Sequence, residues 1–256
     1  MGIGESISKG FGVAKKSMGL ILLLFVFGFI FNLLNLFFAP PATAPGVAQP
    51  PPSPALIAAA VAFIFLTIYF QAGSMTFVRD MVKTGSANLG NFKAGGGKYY
   101  LRLLVLGLVV SLIIGGFVLL AALAVAVLKS LPAVSVPLAI LFAALGIYFV
   151  VLLFLAPYAA VVDDLGAMAS IKLSMKLVKK NVLALVGISL IMIAIGFGIG
   201  LILGAILAGV SYVIKVAMVS QVIFALLSSL VNSFLGVAVT GVFMNFYLSI
   251  TDRNNT

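Results

Sequence analysis

Six apolar stretches alternate with polar or helix-breaking segments along the chain, at about 18–38, 55–77, 101–128, 136–162, 182–214 and 222–250. Each reaches the roughly 20 residues that a helix needs to cross a hydrocarbon core of about 30 Å. Several exceed that minimum, and tilt or extension into the interface absorbs the excess. The first two are separated by 39–54, APPATAPGVAQPPPSP, an uncharged stretch whose prolines favour an extended polyproline conformation. A basic, glycine-rich loop is expected over 79–98, with Gly95, Gly96 and Gly97 in it. Short breaks at Lys129–Pro132 and Lys215, a basic segment at 163–181 and a polar tail at 251–256 complete the punctuation. The pattern predicts an all-α polytopic membrane helix bundle of about six transmembrane helices, with residues 1–256 forming a single integral membrane domain.

The spans group as three hairpins. Three times a basic interfacial stretch precedes an apolar helix, and a second helix returns after a short loop. The returns end in Asp80, Asp163 and Asp252. Three hairpins do not fit the two-half inverted-repeat plan common in secondary transporters.

Composition agrees with the spans. Hydrophobic residues make up 64% of the chain and charged residues 8%, against roughly 45–50% and 25% in soluble domains. The net charge of +10 comes from 15 Lys and Arg against 5 Asp and Glu. Its distribution orients the chain. Lys9, Lys15, Lys16, Arg79, Lys83, Lys93, Lys98, Arg102, Lys172, Lys176, Lys179, Lys180 and Arg253 fall on one side, and only Lys129 and Lys215 on the other. The excess of basic residues marks the cytoplasmic side. Both termini and the amphipathic interfacial helices are therefore expected in the cytoplasm, and the proline-rich loop outside. One competing reading takes Lys15-Lys16, the first apolar run and Ala42-Thr43-Ala44 as a cleaved secretory signal. The run is longer than the usual 7–15 residues of such a signal.

The chain has no cysteine and no histidine. Thiol chemistry, disulfides, Cys/His zinc sites and imidazole acid–base catalysis are thereby excluded. AGGGK at 94–98 lacks the spacing of a phosphate-binding loop. No ionisable residue lies deep in a span, where proton or ion coupling would need one. Basic residues are not interleaved with aromatic ones as nucleic-acid binding would require. The expectation is a protein that is not an enzyme, with no cofactor, no metal and no nucleic-acid partner.

Three features are candidates for function. In 163–181, DDLGAMASIKLSMKLVKKN, helical spacing puts Met168, Ile171, Met175 and Val178 on one stripe and Lys172, Lys176 and Lys179 on another. Asp163 or Asp164 is placed to cap the N-terminus of that helix. Lys172, Lys176, Lys179 and Lys180 then either attract anionic headgroups or serve only as a topology signal. The fifth span carries Gly196, Gly200 and Gly204, and the sixth Ser228, Asn232, Gly236 and Thr240, at four-residue spacing; the third has Gly107, Ser111 and Gly115. Small residues at this spacing let helices approach closely. They suit packing within the bundle, an oligomer interface or a lined pathway. Asn32, Asn35 and Asn232 are buried amides by position, suited to bonding across helices.

The segment APYAAVVDDLGAMASIKLSMKLVKKN resembles a pattern of multi-pass bacterial and archaeal membrane proteins. These include the membrane domain attached to some glycerophosphodiester phosphodiesterases, and six-span inner-membrane proteins without assigned activity. Pro157, Asp163, Ser174, Leu177, Lys179 and Asn181 occupy the matching positions. Ser170 replaces the usual alanine, and Met175 stands where an aromatic residue is common. The resemblance covers about 25 residues. It implies a helical membrane domain in a prokaryotic cytoplasmic membrane and no catalysis. The functional expectation is a membrane scaffold or accessory factor, with membrane lipids, other membrane proteins or a second copy as partners. The alternative is a transporter or channel for an uncharged or lipidic substrate.

Overall fold

In the computed structural model, which describes residues 2–38, 53–214 and 216–255, eight helices account for nearly all of the described chain. They are α1 (Ile3–Lys16), α2 (Met18–Phe38), α3 (Pro54–Thr84), α4 (Leu89–Val127), α5 (Pro132–Leu153), α6 (Ala156–Val162), α7 (Ala167–Val213) and α8 (Ala217–Asn255). Among the described residues, six segments are long and apolar enough to cross a membrane, with α5 and α6 together forming the fourth. The protein is a multi-pass all-α membrane protein. The proline-rich segment, the Ala42-Thr43-Ala44 cleavage motif and Lys215 lie outside the described residues, apart from Ser53 and Pro54.

The helices run further than hydropathy predicts because capping, not apolarity, ends them. Ser53 Oγ accepts the Leu56 N–H at 3.2 Å, and Pro54 takes the first helical position. Gly85 ends α3 in the left-handed region, φ 76°, with its N–H on the Met81 carbonyl. Asn88 Oδ1 accepts the Asn91 N–H at 3.1 Å and starts α4. The expected loop at 79–98 is therefore a tight turn at 85–88 between two helices. Gly95 and Gly96 are helical, and they are contact points. A Cβ on Gly96 would lie 2.7 Å from the Tyr69 ring, and one on Gly95 would collide with Thr76. Residues 251–255 likewise continue α8 instead of forming a tail.

The order of hairpins in the chain is not the order of packing. The most extensive contacts join α3 to α4, α1 to α8, α4 to α5 and α2 to α8, whereas α2 and α3 barely meet. They touch through long aromatic side chains, with Phe27 stacked on Phe70 at 3.9 Å and Phe31 on Phe63 at 3.7 Å. Helix α1 lies across α8 with Ser6, Gly10, Val13 and Ala14 buried, a stripe at i, i+4, i+7 and i+8. Glu5, Lys9, Lys15 and Lys16 are exposed, and Lys9 pairs with Glu5 at 2.9 Å.

Candidate functional site: a basic interfacial belt and a lateral cavity

Polar side chains gather at the end of the bundle that carries the basic residues. Their positions follow from breaks in the helices. Pro157 has no N–H to continue the ladder from α5, and the fourth span breaks at Phe154–Leu155. The hydroxyl of Ser174, fully buried on α7, donates to the Leu152 carbonyl at that break, at 2.7 Å. At the far end of α6 the Val161 carbonyl accepts from Arg79 Nη1 at 2.9 Å, which satisfies one of the orphan carbonyls of a helix end. Asp163 follows and accepts the hydroxyl of the buried Tyr247 from α8. Asn181 takes a non-helical conformation, φ −127° and ψ 22°, where α7 kinks, and its side chain donates to the Leu177 carbonyl at 2.9 Å. Pro157, Asp163, Ser174 and Asn181 thus each sit at or repair an interruption of the helical ladder.

Arg79 and its neighbours extend this belt. The guanidinium pairs with Asp80 at 2.8 Å and donates to Tyr99 Oη at 3.2 Å, and Asp80 accepts from Asn91 at 2.6 Å. Asp164 adopts φ 56°, a conformation aspartate tolerates better than most residues. It pairs with Arg102 at 2.5 Å and Lys98 at 3.0 Å. The hydrogen bond from Lys98, then that from Arg102, holds its carboxyl below the ordinary aspartate range. The ring of Tyr99 lies beneath all three cations, at 5.0 Å from Lys98, 5.5 Å from Arg102 and 5.9 Å from Arg79. Neither aspartate caps α7, contrary to expectation. That helix begins after Gly166 with no side-chain cap, because both carboxylates are taken by residues from other helices.

Before its kink, α7 is amphipathic, with a rotated buried stripe. Ser170, Ile171, Ser174, Leu177 and Val178 face the bundle, while Met168 is 62% exposed and Met175 half-buried. Ser170 and Ser174 are buried more deeply than either methionine. Lys172, Lys176, Lys179 and Lys180 are exposed on the opposite side and form no ion pair with another described residue.

The expected small-residue packing falls elsewhere. A Cβ on Gly196, Gly200, Gly204, Gly236, Gly107 or Gly115 would meet nothing within 4 Å. Ser228 bonds within its own helix, to Ala225, and Asn232 is exposed. Close approaches occur instead at Gly10, Gly73, Gly95, Gly96 and Gly241. Of the amides, Asn32 bonds across helices to Ser229 at 2.8 Å, whereas Asn35 is exposed and returns to the Phe31 carbonyl.

Just inward of the belt, a cavity of about 580 Å³ is lined by residues of α2, α3, α4, α5, α6 and α8. Every residue lining it is uncharged, and Phe27, Phe70, Phe154 and Tyr158 supply aromatic walls. Thr67, Gln71 and Ser74 reach it from one face of α3 at i, i+4 and i+7. That spacing stands in the sequence, as a polar stripe inside the second span. Tyr99 and Tyr247 carry no such signal, since their partners lie on other helices. A second cavity of similar size, lined by Asn32, Asn35, Ser211 and Gln221 among others, lies toward the opposite end.

No curated protein and no solved structure matches the chain. A family model covers residues 1–250, and the chain belongs to that family, DUF7847, a domain of unknown function.

Proposed function

We propose that this protein is a non-enzymatic scaffold or accessory factor of the prokaryotic cytoplasmic membrane, acting through inner-leaflet lipid and membrane-protein partners. Its basic end and both termini face the cytoplasm. The observation that carries this reading is the first half of α7. Its apolar stripe is docked on the bundle, and Lys172, Lys176, Lys179 and Lys180 stand exposed beside the belt. Each lysine near an anionic leaflet contributes about 1 kcal/mol of attraction, enough in sum to enrich anionic lipid around this face.

The test is native mass spectrometry of the protein released from nanodiscs of mixed phosphatidylcholine and phosphatidylglycerol. Wild type should retain phosphatidylglycerol preferentially, and replacing the four lysines by glutamine should remove that preference. Equal retention by both forms would refute the reading, as would turnover or flux by the purified protein alone. With no native cysteine, Lys176→Cys gives a single thiol, which should label only from the cytoplasmic side. A second reading, a transporter for an uncharged or lipidic substrate, is favoured by the lateral cavity and requires flux in proteoliposomes.

A further inference from the structure

Ser74 differs from most hydroxyl-bearing residues within these helices. Ser17, Thr67, Thr76, Ser189, Ser229, Ser233 and Thr240 all donate to the carbonyl four residues earlier. Ser74 is 9% exposed, and its Oγ has no hydrogen-bond partner. A buried hydroxyl left unpaired costs about 1–3 kcal/mol, and in a membrane no bulk water relieves it. Ser74 is one of the residues lining the lateral cavity, with Met75 and the exposed Gln71, and its hydroxyl lies just beneath the wall.

Depth narrows what could meet it. Ser74 lies six residues before Asp80 on a continuous helix, or about 9 Å from the belt at 1.5 Å per residue. The headgroup zone on each side of a bilayer is only about 5–8 Å thick. With Asp80 and Arg79 at the interface, Ser74 sits among methylenes, where an ordinary phospholipid presents no polar group. The cavity volume of about 580 Å³ is within the usual range for small-molecule sites, which are mostly apolar with a few polar groups that fix orientation.

We infer that the lateral cavity binds a lipophile carrying an uncharged hydrogen-bonding carbonyl, such as an alkyl quinone or ketone, with the carbonyl at Ser74. The chain lies against Phe27 and Phe70, whose stacked rings form one wall. Uncharged walls exclude an ionised head, and the aromatic walls suit a flat conjugated one. Occupancy requires neither flux nor the lysine face, so it stands apart from both readings above.

The experiment uses the full chain in phosphatidylcholine nanodiscs, with 4-decylbenzophenone as a photoreactive ketone probe. Saturable adducts are expected at Met75 and in the Gly236–Thr240 stretch, displaced by excess decyl benzoquinone and not by phosphatidylglycerol. Ser74→Ala should weaken apparent binding about tenfold, the equivalent of one hydrogen bond. Gly107→Leu and Gly236→Leu should abolish it by filling the cavity. Both glycines have open space around them, so these variants should melt like wild type. Adducts that do not saturate, survive in a Gly236→Leu protein that melts like wild type, or are displaced by phosphatidylglycerol would overturn the assignment, the last by making the cavity a slot for bulk lipid.

Discussion

At the basic end of the bundle a Cβ on Gly10 would lie 2.5 Å from the Val242 backbone nitrogen, while toward the other end one on Gly196, Gly200 or Gly204 would meet nothing within 4 Å. The same contrast holds for larger side chains. Tyr247, Val161, Val178 and Met244 are fully buried, whereas Phe197 is 68% and Tyr212 86% exposed. Glycine works in opposite ways at the two ends. At the basic end its missing side chain lets α1 lie on α8 and α4 on α3, close enough for Arg79 on α3 to reach Tyr99 on α4. Along the second half of α7 it faces open space and contributes no contact. Lipid is as apolar as leucine, so burying a side chain there gains little unless packing is tight or polar groups pair. The fold is held where both occur together.

The largest effect should come from exchanging the conditions of the two glycine sets. Gly10→Val would force α1 off the Val242 backbone, a clash that no flexible side chain can relieve. A loss on the order of 3 kcal/mol or more is expected, at the upper end of overpacking costs. Gly200→Ala should be neutral or stabilising by about 0.5–1 kcal/mol, the helix preference of alanine over glycine. Denaturation in mixed micelles, followed by circular dichroism, measures both. If Gly200→Ala proved the more harmful, the open face of α7 would be an interface with another chain, and the contrast between the ends would fail.

That glycine contrast is also where the sequence was least legible. Hydropathy predicts six spans, and the described residues hold six helices long and apolar enough to cross a membrane, because an apolar run of that length has few other uses. The spacing of Gly196, Gly200 and Gly204 resembles packing equally well whether or not a helix lies against it, because lipid and protein select the same residues. Gly95 to Gly97 resemble punctuation, although Asn88 and Gly85 carry the stop signals and Gly95 and Gly96 lie in a helix contact. The buried face of α7 keeps Ile171 and Val178 of the expected stripe, but Ser170 and Ser174 lie inside while Met168 points out. Ser174 is buried because the break at Pro157 leaves a carbonyl for it to satisfy. The pairing of Asp163 with Tyr247 joins positions 84 residues apart, and no local pattern announces it.

A smaller effect should follow from cutting that pairing. Tyr247→Phe keeps the ring against Tyr158 and removes only the hydroxyl donated to Asp163. A hydrogen bond to a charged group contributes about 1.5–3 kcal/mol, so the variant should fall between the two glycine variants. Asp163→Asn, which keeps an acceptor, should lose less. If Tyr247→Phe melted like wild type, the basic end would be held by shape alone, and the polar belt would be a consequence of close packing, not a cause.

The smallest effect belongs to Asp164, which is at the basic end but exposed. Its carboxyl is held below the ordinary value of 3.8, first by the Lys98 hydrogen bond and then by that from Arg102. A group whose folded value is depressed binds its proton more readily when unfolded. Its contribution is therefore fully present above the unfolded value and disappears as pH falls through the folded one. Stability of the wild type should decline as pH drops below about 4. Asp164→Asn should lie slightly lower at neutral pH and show a shallower acid decline, with little difference at high salt, because exposed pairs are screened. Asparagine also tolerates the left-handed backbone at this position, so the comparison isolates charge from strain. A large loss in Asp164→Asn would mean that the exposed rim of the belt is as strongly coupled as its buried floor, and that the boundary between the two halves of the molecule lies further out than burial places it.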